Sequence, residues 1–494
     1  MALGGLGAKA RSAGRLALAL FAVAVLAAAA NAASWARWER EPLVHDEFSY
    51  LLAADTFAHG RLTNPTHLMW RHFETYHVLQ RPTYQSKYPP GQGLALALGI
   101  VVLGHPIAGV WASYALACAA VAWMLRGWMR PRWALAGGLL AALHPVMGAF
   151  WGQTYWGGAV AMCGGALVYG AVPRLVRRAR AGPSAALGLG LALLLLSRPV
   201  EGALASAPAL AFLLWRRWRR GGGRGVRPWR LWAPAALVLS VAAVWLGYYH
   251  WRVTGSPLRP PYWAWVEAYQ NPSVAVTADL RNYRGSPDLT LAQRVYRVGG
   301  FYAPLSLGLL LPGLWWMRRS AWTRLHAAAA LGLVAASVAF TRGWPHYTAP
   351  VAGAVLALFV QGFRGLRRAA RARPLPRAAV ALLPLLALGA WSARVSPGLW
   401  ANPHVLEREA LLNRLEGTAR DHLVIVRYGP DHASQYEWVW NEADIDAARV
   451  VWARELGGGQ TRALRAYFAS RRVWLFEPDA VPPRFGDYPM AVVK

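Results

Sequence analysis

Apolar runs of about 14–19 residues recur along most of the chain, separated by short basic or polar connectors. Runs of this length approach what the hydrocarbon core of a bilayer requires of a helix. They predict spans over residues 16–33, 107–125, 133–150, 155–172, 184–196, 200–215, 231–249, 301–317, 325–340, 347–360 and 378–393, about eleven in all. A further run, 91–104, follows Pro89-Pro90 and is short for a span; it is expected to lie on the membrane surface. The pattern changes beyond residue 394. There 406–418 reads as an amphipathic helix, 422–427 and 450–453 as strands, 462–470 as a helix and 473–476 as a third strand. The predicted fold is an all-α polytopic membrane protein with a small C-terminal α/β extracytoplasmic domain. Residues 1–394 form the membrane domain, with outer loops 35–106 and 251–298, and 395–494 form the α/β domain.

Composition agrees with this. Of 494 residues 56% are hydrophobic and only 15% charged, and 27 are Trp. The net charge of +30 would suit a nucleic-acid binder, but the arginines sit in short connectors between apolar runs: 174–180, 216–230 and 364–377. Basic residues there set topology by the positive-inside rule, so nucleic acid is excluded as a partner. Cys118 and Cys163 both fall in apolar runs, which argues against a disulfide framework or a thiolate metal site. Lys9, Arg11 and Arg15 precede the first run, which ends in Ala30-Asn31-Ala32, a pattern signal peptidase accepts; a retained first helix is expected. With 91–104 on the outer surface, every basic connector falls inside. The 35–105 region, the 251–298 loop and the tail then share the outer compartment.

That compartment collects the candidate chemistry. His45-Asp46-Glu47 stands just past the first run, and a carboxylate there can serve as base toward an acceptor, or be a solvated loop acid. Lys87-Tyr88-Pro89-Pro90-Gly91 closes the first outer loop, and Lys87 is either a phosphate contact or a snorkelling interface lysine. Arg198 in Ser197-Arg198-Pro199-Val200-Glu201 binds an anion or pairs with Glu201. Arg342-Gly343-Trp344-Pro345-His346-Tyr347 supplies a cation, rings and an imidazole, and Tyr155-Trp156-Gly157-Gly158 adds rings and close backbone approach. Aromatic residues at helix ends also serve simply as interface belts. No histidine or carboxylate pattern has metal-ligand spacing, so no metal ligand is assigned and a divalent metal stays open as a cofactor. Gly457-Gly458-Gly459 reads as a turn, and the P-loop and dinucleotide signatures are absent.

Over residues 16–350 this order of motifs resembles the GT-C superfamily of membrane glycosyltransferases, in the branch of protein O-mannosyltransferases and lipid A aminoarabinose transferases (glycosyltransferase family 39-like). The resemblance rests on Asp46-Glu47 in the first outer loop, the Pro89-Pro90 return and His346-Tyr347-Thr348-Ala349-Pro350. It implies that Asp46 is the acceptor-activating carboxylate, with Glu47 assisting. It also implies a polyprenyl-phosphate sugar donor and a lipid, glycan or protein acceptor. Lys87, Tyr88, Arg198, Glu201, Trp156, His346 and Tyr347 are then the expected substrate-binding residues. The WWDYG motif of oligosaccharyltransferases is missing, which counts against transfer of a whole oligosaccharide.

The expected function is an integral-membrane, lipid-phosphate-sugar-dependent hexosyl or pentosyl transferase of the cell envelope, in a bacterial inner membrane. A transporter or flippase for a lipid-linked or anionic substrate is the alternative. It calls for ionisable residues deep within spans, whereas the charges here lie at span ends. A non-catalytic membrane scaffold would need neither Asp46 nor Lys87.

Overall fold

A computed structural model of the chain describes residues 2–38, 41–219, 229–270, 289–302, 320–372, 374–393, 403–430 and 435–489, with 311, 314, 315, 318, 432 and 433. It is mostly helical and carries a small sheet. Two compact units make it up. One comprises Met1–Trp38, Ile107–Val244 and Asp288–Ser396, the other Glu39–Pro106, Trp245–Pro287 and Pro397–Lys494.

The first unit holds most of the apolar helices. Among the described residues of the whole chain, six helices are long and apolar enough to cross a membrane: Ala13–Trp35, Pro106–Trp128, Ala159–Arg177, Leu231–Thr254, Ala321–Phe340 and Pro345–Ala369. The run expected at 133–150 is broken. Pro131–Ala142 and Pro145–Trp151 meet at 54°, and together they would make a seventh span. Pro145 removes a backbone donor at the break, and the Nδ1 of His144 accepts from the Met147 N–H at 3.2 Å. Helices Ala181–Ser197 and Pro199–Arg219 form where expected, whereas most of 301–317 lies outside the described residues.

Glycine sets the spacing inside this unit. A Cβ on Gly190 would lie 2.7 Å from the carbonyl oxygen of Gly164, so the Ala159–Arg177 and Ala181–Ser197 helices touch backbone to backbone. At Gly165 the fit is tighter, since a Cβ would sit 1.8 Å from the carbonyl oxygen of Pro350. The turn Pro345–Val351 is seated on the Ala159–Arg177 helix by that missing side chain.

The second unit gathers the segment that follows the first helix, the segment from Trp245 to Pro287 and the tail. Strands β1 (Val78–Leu79) and β2 (Gln85–Ser86) pair antiparallel within the first segment. In the tail, β3 (His422–Val426), β4 (Val450–Arg454), β5 (Arg472–Glu477) and β6 (Arg484–Asp487) form a sheet of order β4-β3-β5-β6. The first three run parallel and β6 antiparallel, joined by helix Gly458–Tyr467. Strand β3 is buried throughout, as a parallel strand covered on both faces must be. Leu423 and Ile425 face Leu52, Phe73, Val78, Tyr84 and Phe468. Val424 and Val426 face Trp438, Trp452, Phe476 and the Leu411 and Leu415 side of helix Pro403–Glu416. The region after the first helix is therefore one cover of the tail's sheet.

Two elements depart from expectation. The residues after the acids are a helix, His45–Ala58, rather than an open polar loop. Its sequence has no single apolar stripe because several sides are covered, with Phe48, Tyr50, Leu52 and Ala54 all buried. Strand β6 was also missed, being short, charged and at the sheet edge. Helix Pro90–Leu103 does form, and at 14 residues it is roughly 21 Å long, short of a bilayer core. It packs on His45–Ala58 through Gly93, where a Cβ would lie 2.8 Å from Ala53 Cβ. Leu98, Val101, Val102 and Leu103 stay exposed on it.

Gly165→Ala forces the Pro350 carbonyl away, and overpacking of this kind costs about 1–3 kcal/mol. The expected outcome is a Tm lowered by several degrees in a detergent thermal-shift measurement, whereas Gly332→Ala, exposed in a helix interior with open space at its Cβ, does not lower Tm.

Candidate functional site

In the second unit the chemistry centres on Asp46, in the first turn of helix His45–Ala58. Its Oδ1 accepts a hydrogen bond from the Tyr88 hydroxyl, and its Oδ2 lies 3.0 Å from His45 Nδ1. His77 Nε2 is 3.8 Å from Oδ1. Burial opposes the charge on Asp46, but the His77 and His45 imidazoles, with hydrogen bonds from His45 and Tyr88, outweigh it. The carboxyl is held well below its ordinary range. Asp46 nevertheless keeps 35% of its side chain accessible, so a substrate group can reach it.

The hairpin positions the remaining partners. His77 adopts a left-handed backbone conformation (φ 65°), unusual for a residue with a Cβ. Its carbonyl accepts from the Ser49 hydroxyl at 2.7 Å and from the Lys87 N–H at 3.0 Å. Ser49 also meets the Ser86 hydroxyl at 2.7 Å, so β2 is tied to the acid-bearing helix. Tyr88 stacks on Tyr50 with centroids 4.5 Å apart, which aims its hydroxyl at Asp46. The Lys87 ammonium lies 3.7 Å from the Trp265 ring centroid and 5.2 Å from that of Tyr262. Burial pushes its pKa down to about 7, against the pull of Asp46. Burial, then the charges of Lys87 and His45, likewise pushes His77 below its ordinary value, with Asp46 pulling the other way.

Glu47 takes a different position from its neighbour. It is fully buried, and its Oε2 accepts the Leu43 N–H at 2.8 Å, closing the start of the helix. The tail grips the same helix. Trp440 Nε1 donates to the Phe48 carbonyl at 2.8 Å and stacks on the Phe48 ring, and the Ala443 N–H donates to Asp55 at 2.7 Å. Beneath, the buried guanidinium of Arg454 pairs with Glu437 and donates to the Glu74 carbonyl at 2.6 Å.

The other expected residues belong to the first unit, where they make their own cluster. The Arg198 guanidinium stands 4.8 Å from the Tyr347 ring centroid. Trp156 meets Trp344 and His346 edge-on at 5.6 and 5.8 Å, and Arg297 caps Trp344 at 4.0 Å. Arg342 begins this turn with φ 56°, the other non-glycine residue of positive φ among the described residues. Glu201 lies in the first turn of the Pro199–Arg219 helix, three residues from Arg198.

Sequence reading assigned no metal ligands and gave no role to His77, Trp265 or Tyr262. The fold brings His45, Asp46 and His77 together, with one ligand atom from each lying within 4.8 Å of the others. Two imidazoles and a carboxylate suit a borderline divalent cation, so the donor set fits. The separation of 45 and 77 along the chain hides it from any short-motif search. Trp265 could have been found only by asking which rings cover Lys87.

No family model matches the chain, and no curated protein matches it in sequence. Solved structures do match. The fold is that of the GT-C membrane glycosyltransferases, as the order of motifs implied. The chain is similar to ArnT from Cupriavidus metallidurans in the apo state, with TM-score 0.52 and 14% identity over 94% of this chain and 93% of that one. The same protein bound to undecaprenyl phosphate gives 0.52 and 13%, over 95% and 93%. The oligosaccharyltransferase of Archaeoglobus fulgidus matches at TM-score 0.44 and 13% identity, and the chain spans 62% of its length.

Titration of the purified protein with Zn²⁺ or Mn²⁺ by calorimetry is expected to show one saturable site. His77→Ala weakens it by at least about tenfold, the effect of losing a ligand or its orienting partner. Equal binding by wild type and variant refutes the assignment.

Proposed function

We propose that the chain is an integral-membrane glycosyltransferase that moves a sugar from a polyprenyl-phosphate donor to a lipid, glycan or protein acceptor outside the cytoplasm. The observation that carries this reading is an accessible, ionised Asp46 beside the buried Lys87 in a chain with the fold of ArnT. ArnT has been solved bound to undecaprenyl phosphate, which supports a lipid phosphate as the donor's carrier. The reading takes about eleven spans, a membrane domain over 1–394 and an extracytoplasmic α/β domain over 395–494, in a bacterial inner membrane. The basic connectors at one set of helix ends support that orientation.

In the reaction, an acceptor hydroxyl or amine attacks the anomeric carbon as the bond to the lipid phosphate breaks. The phosphate leaves with the bonding electron pair, and Asp46 takes the acceptor's proton. A carboxylate with so low a pKa is a weak base, which favours orientation of the acceptor first and proton transfer late. The protonated Lys87 stabilises charge on the departing phosphate. Trp265 and Tyr262 exclude water from its ammonium. Glu47, turned to the backbone, holds Asp46 at the helix start. Arg198, Trp156, His346 and Tyr347 serve donor binding, with rings suited to a sugar or an isoprenoid. A divalent cation held by His45, Asp46 and His77 would supply further positive charge for the reaction.

The test is transfer from radiolabelled polyprenyl-phosphate sugars to a lipid and peptide acceptor panel by the purified protein. Asp46→Asn is expected to lower kcat by at least about 100-fold while donor binding persists. Lys87→Met should weaken donor affinity and turnover together. A loss under about threefold in both Asp46→Asn and Glu47→Gln removes the base assignment. Donor binding without transfer by wild type brings forward the alternative, a transporter or flippase for a lipid-linked substrate.

A further inference from the structure

The second unit holds a buried polar network that the reaction does not use. Residues 74–77, which bring His77 to Asp46, lie between the short helical turn Trp70–Phe73 and β1, and belong to neither helix nor strand. Side chains hold this stretch instead. Gln80 Nε2 donates to the Phe73 carbonyl at 2.5 Å, Arg454 Nε to that of Glu74 at 2.6 Å, and the Tyr269 hydroxyl to that of Thr75 at 3.3 Å. Of these three donors, only Arg454 brings a charge.

Arg454 is itself immobilised. Its Nη2 pairs with Glu437, whose carboxylate also accepts from the Tyr428 hydroxyl and from the Val439 N–H at 3.0 Å. The Tyr428 ring centroid lies 4.7 Å from the guanidinium, and Arg454 and Glu437 are both buried. The Arg454 carbonyl accepts from His72 Nδ1 at 2.8 Å, so one residue of β4 grips the chain on both sides of Phe73.

Stability alone does not explain this arrangement. Taking two charges out of water costs about as much as their attraction returns, so a buried pair is a weak stabiliser. The same end of the sheet is closed elsewhere by a half-exposed pair, Arg427 bridging Glu455 and Glu477. What the buried pair adds is direction. A guanidinium held at one edge by Glu437 points its Nε–H along a single line, and that line ends at the Glu74 carbonyl. From Glu74 to His77 is three residues, roughly 10 Å of chain at most. His77 Nε2 stands 3.8 Å from Asp46 Oδ1, and slack of about 1 Å at Glu74 is enough to spoil that approach.

We propose that Arg454 is a positioning residue for the candidate site: together with Tyr269 it fixes the 74–77 backbone and so holds the His77 imidazole against Asp46. The consequence for turnover rests on the transferase reading above; the placement of His77 does not.

The test uses the full chain in detergent. Arg454→Lys keeps a cation beside Glu437 but loses the fork that serves Glu437 and Glu74 together. R427M, which removes a guanidinium from the same end of the sheet, is the control. Two quantities are read. One is carbethoxylation of His77 by diethylpyrocarbonate, followed by peptide mass spectrometry with the exposed His59 as internal reference. The other is the kcat of sugar transfer. In R454K the His77 rate is expected to rise at least about fivefold, as the segment opens more readily. Its kcat falls at least about tenfold, while Tm stays within about 3 °C of wild type. In R427M both quantities stay within about twofold of wild type. Unchanged His77 labelling in R454K overturns the proposal, and so do equal losses of kcat in R454K and R427M. If R454K does not fold, Tyr269→Phe decides, since it removes one hydroxyl and keeps the ring. There His77 labelling must rise at least about threefold, and no rise overturns the proposal. If wild type transfers no sugar, the transferase reading fails and His77 labelling alone decides whether Arg454 holds the imidazole.

Discussion

A carboxylate, two imidazoles and an ammonium can share a desolvated wall only if the backbone carrying them cannot relax, and helix His45–Ala58 supplies that constraint. It is held from opposite directions. The hairpin grips it through Ser49, bonded to the His77 carbonyl and the Ser86 hydroxyl, and the tail grips it through Trp440 and Asp55. Freed from either grip, Asp46 and Lys87 would turn toward water, and their mutual influence would fall with the rise in local dielectric. The left-handed backbone at His77 is the local cost of placing an imidazole opposite Asp46. The tail and the segment after the first helix are thus one folding problem.

Electrostatics divides the protein's labour. Around Asp46 opposite charges are few, buried and matched, so each sets the ionisation of the others. Around Trp133 they are many and alike, with Arg130, Arg132, Arg364 and Arg367 among the residues lining one cavity. Between these extremes the first unit is built from apolar helices spaced by glycine, where contacts such as Gly165 on Pro350 leave no room for adjustment.

Much of this was legible from residue order. Helices 107–125, 155–172, 325–340 and 347–360 follow from apolar length alone, because a bilayer demands a fixed span of hydrocarbon. Strands β3, β4 and β5 were readable because short runs rich in Val, Ile and Leu stood between turn signals. Asp46, Lys87 and Tyr88 drew notice as polar residues beside membrane segments. The His45–Ala58 helix was not readable, since burial on several sides erases the periodicity from which an amphipathic helix is inferred. Glu47 looked equivalent to Asp46, yet one residue is a turn of about 100° around a helix, enough to send one carboxylate to the backbone and the other to the histidines.

What the sequence by itself determined is the character of each segment: long apolar runs, arginine-rich connectors between them, and a tail of mixed polarity. Those are one-dimensional properties, set by transfer free energy residue by residue. What only the tertiary structure decided is adjacency: His77 opposite Asp46, Trp265 over Lys87, and two distant connectors around Trp133. Adjacency across 30 to more than 200 residues depends on packing, and packing leaves no periodic trace in the chain.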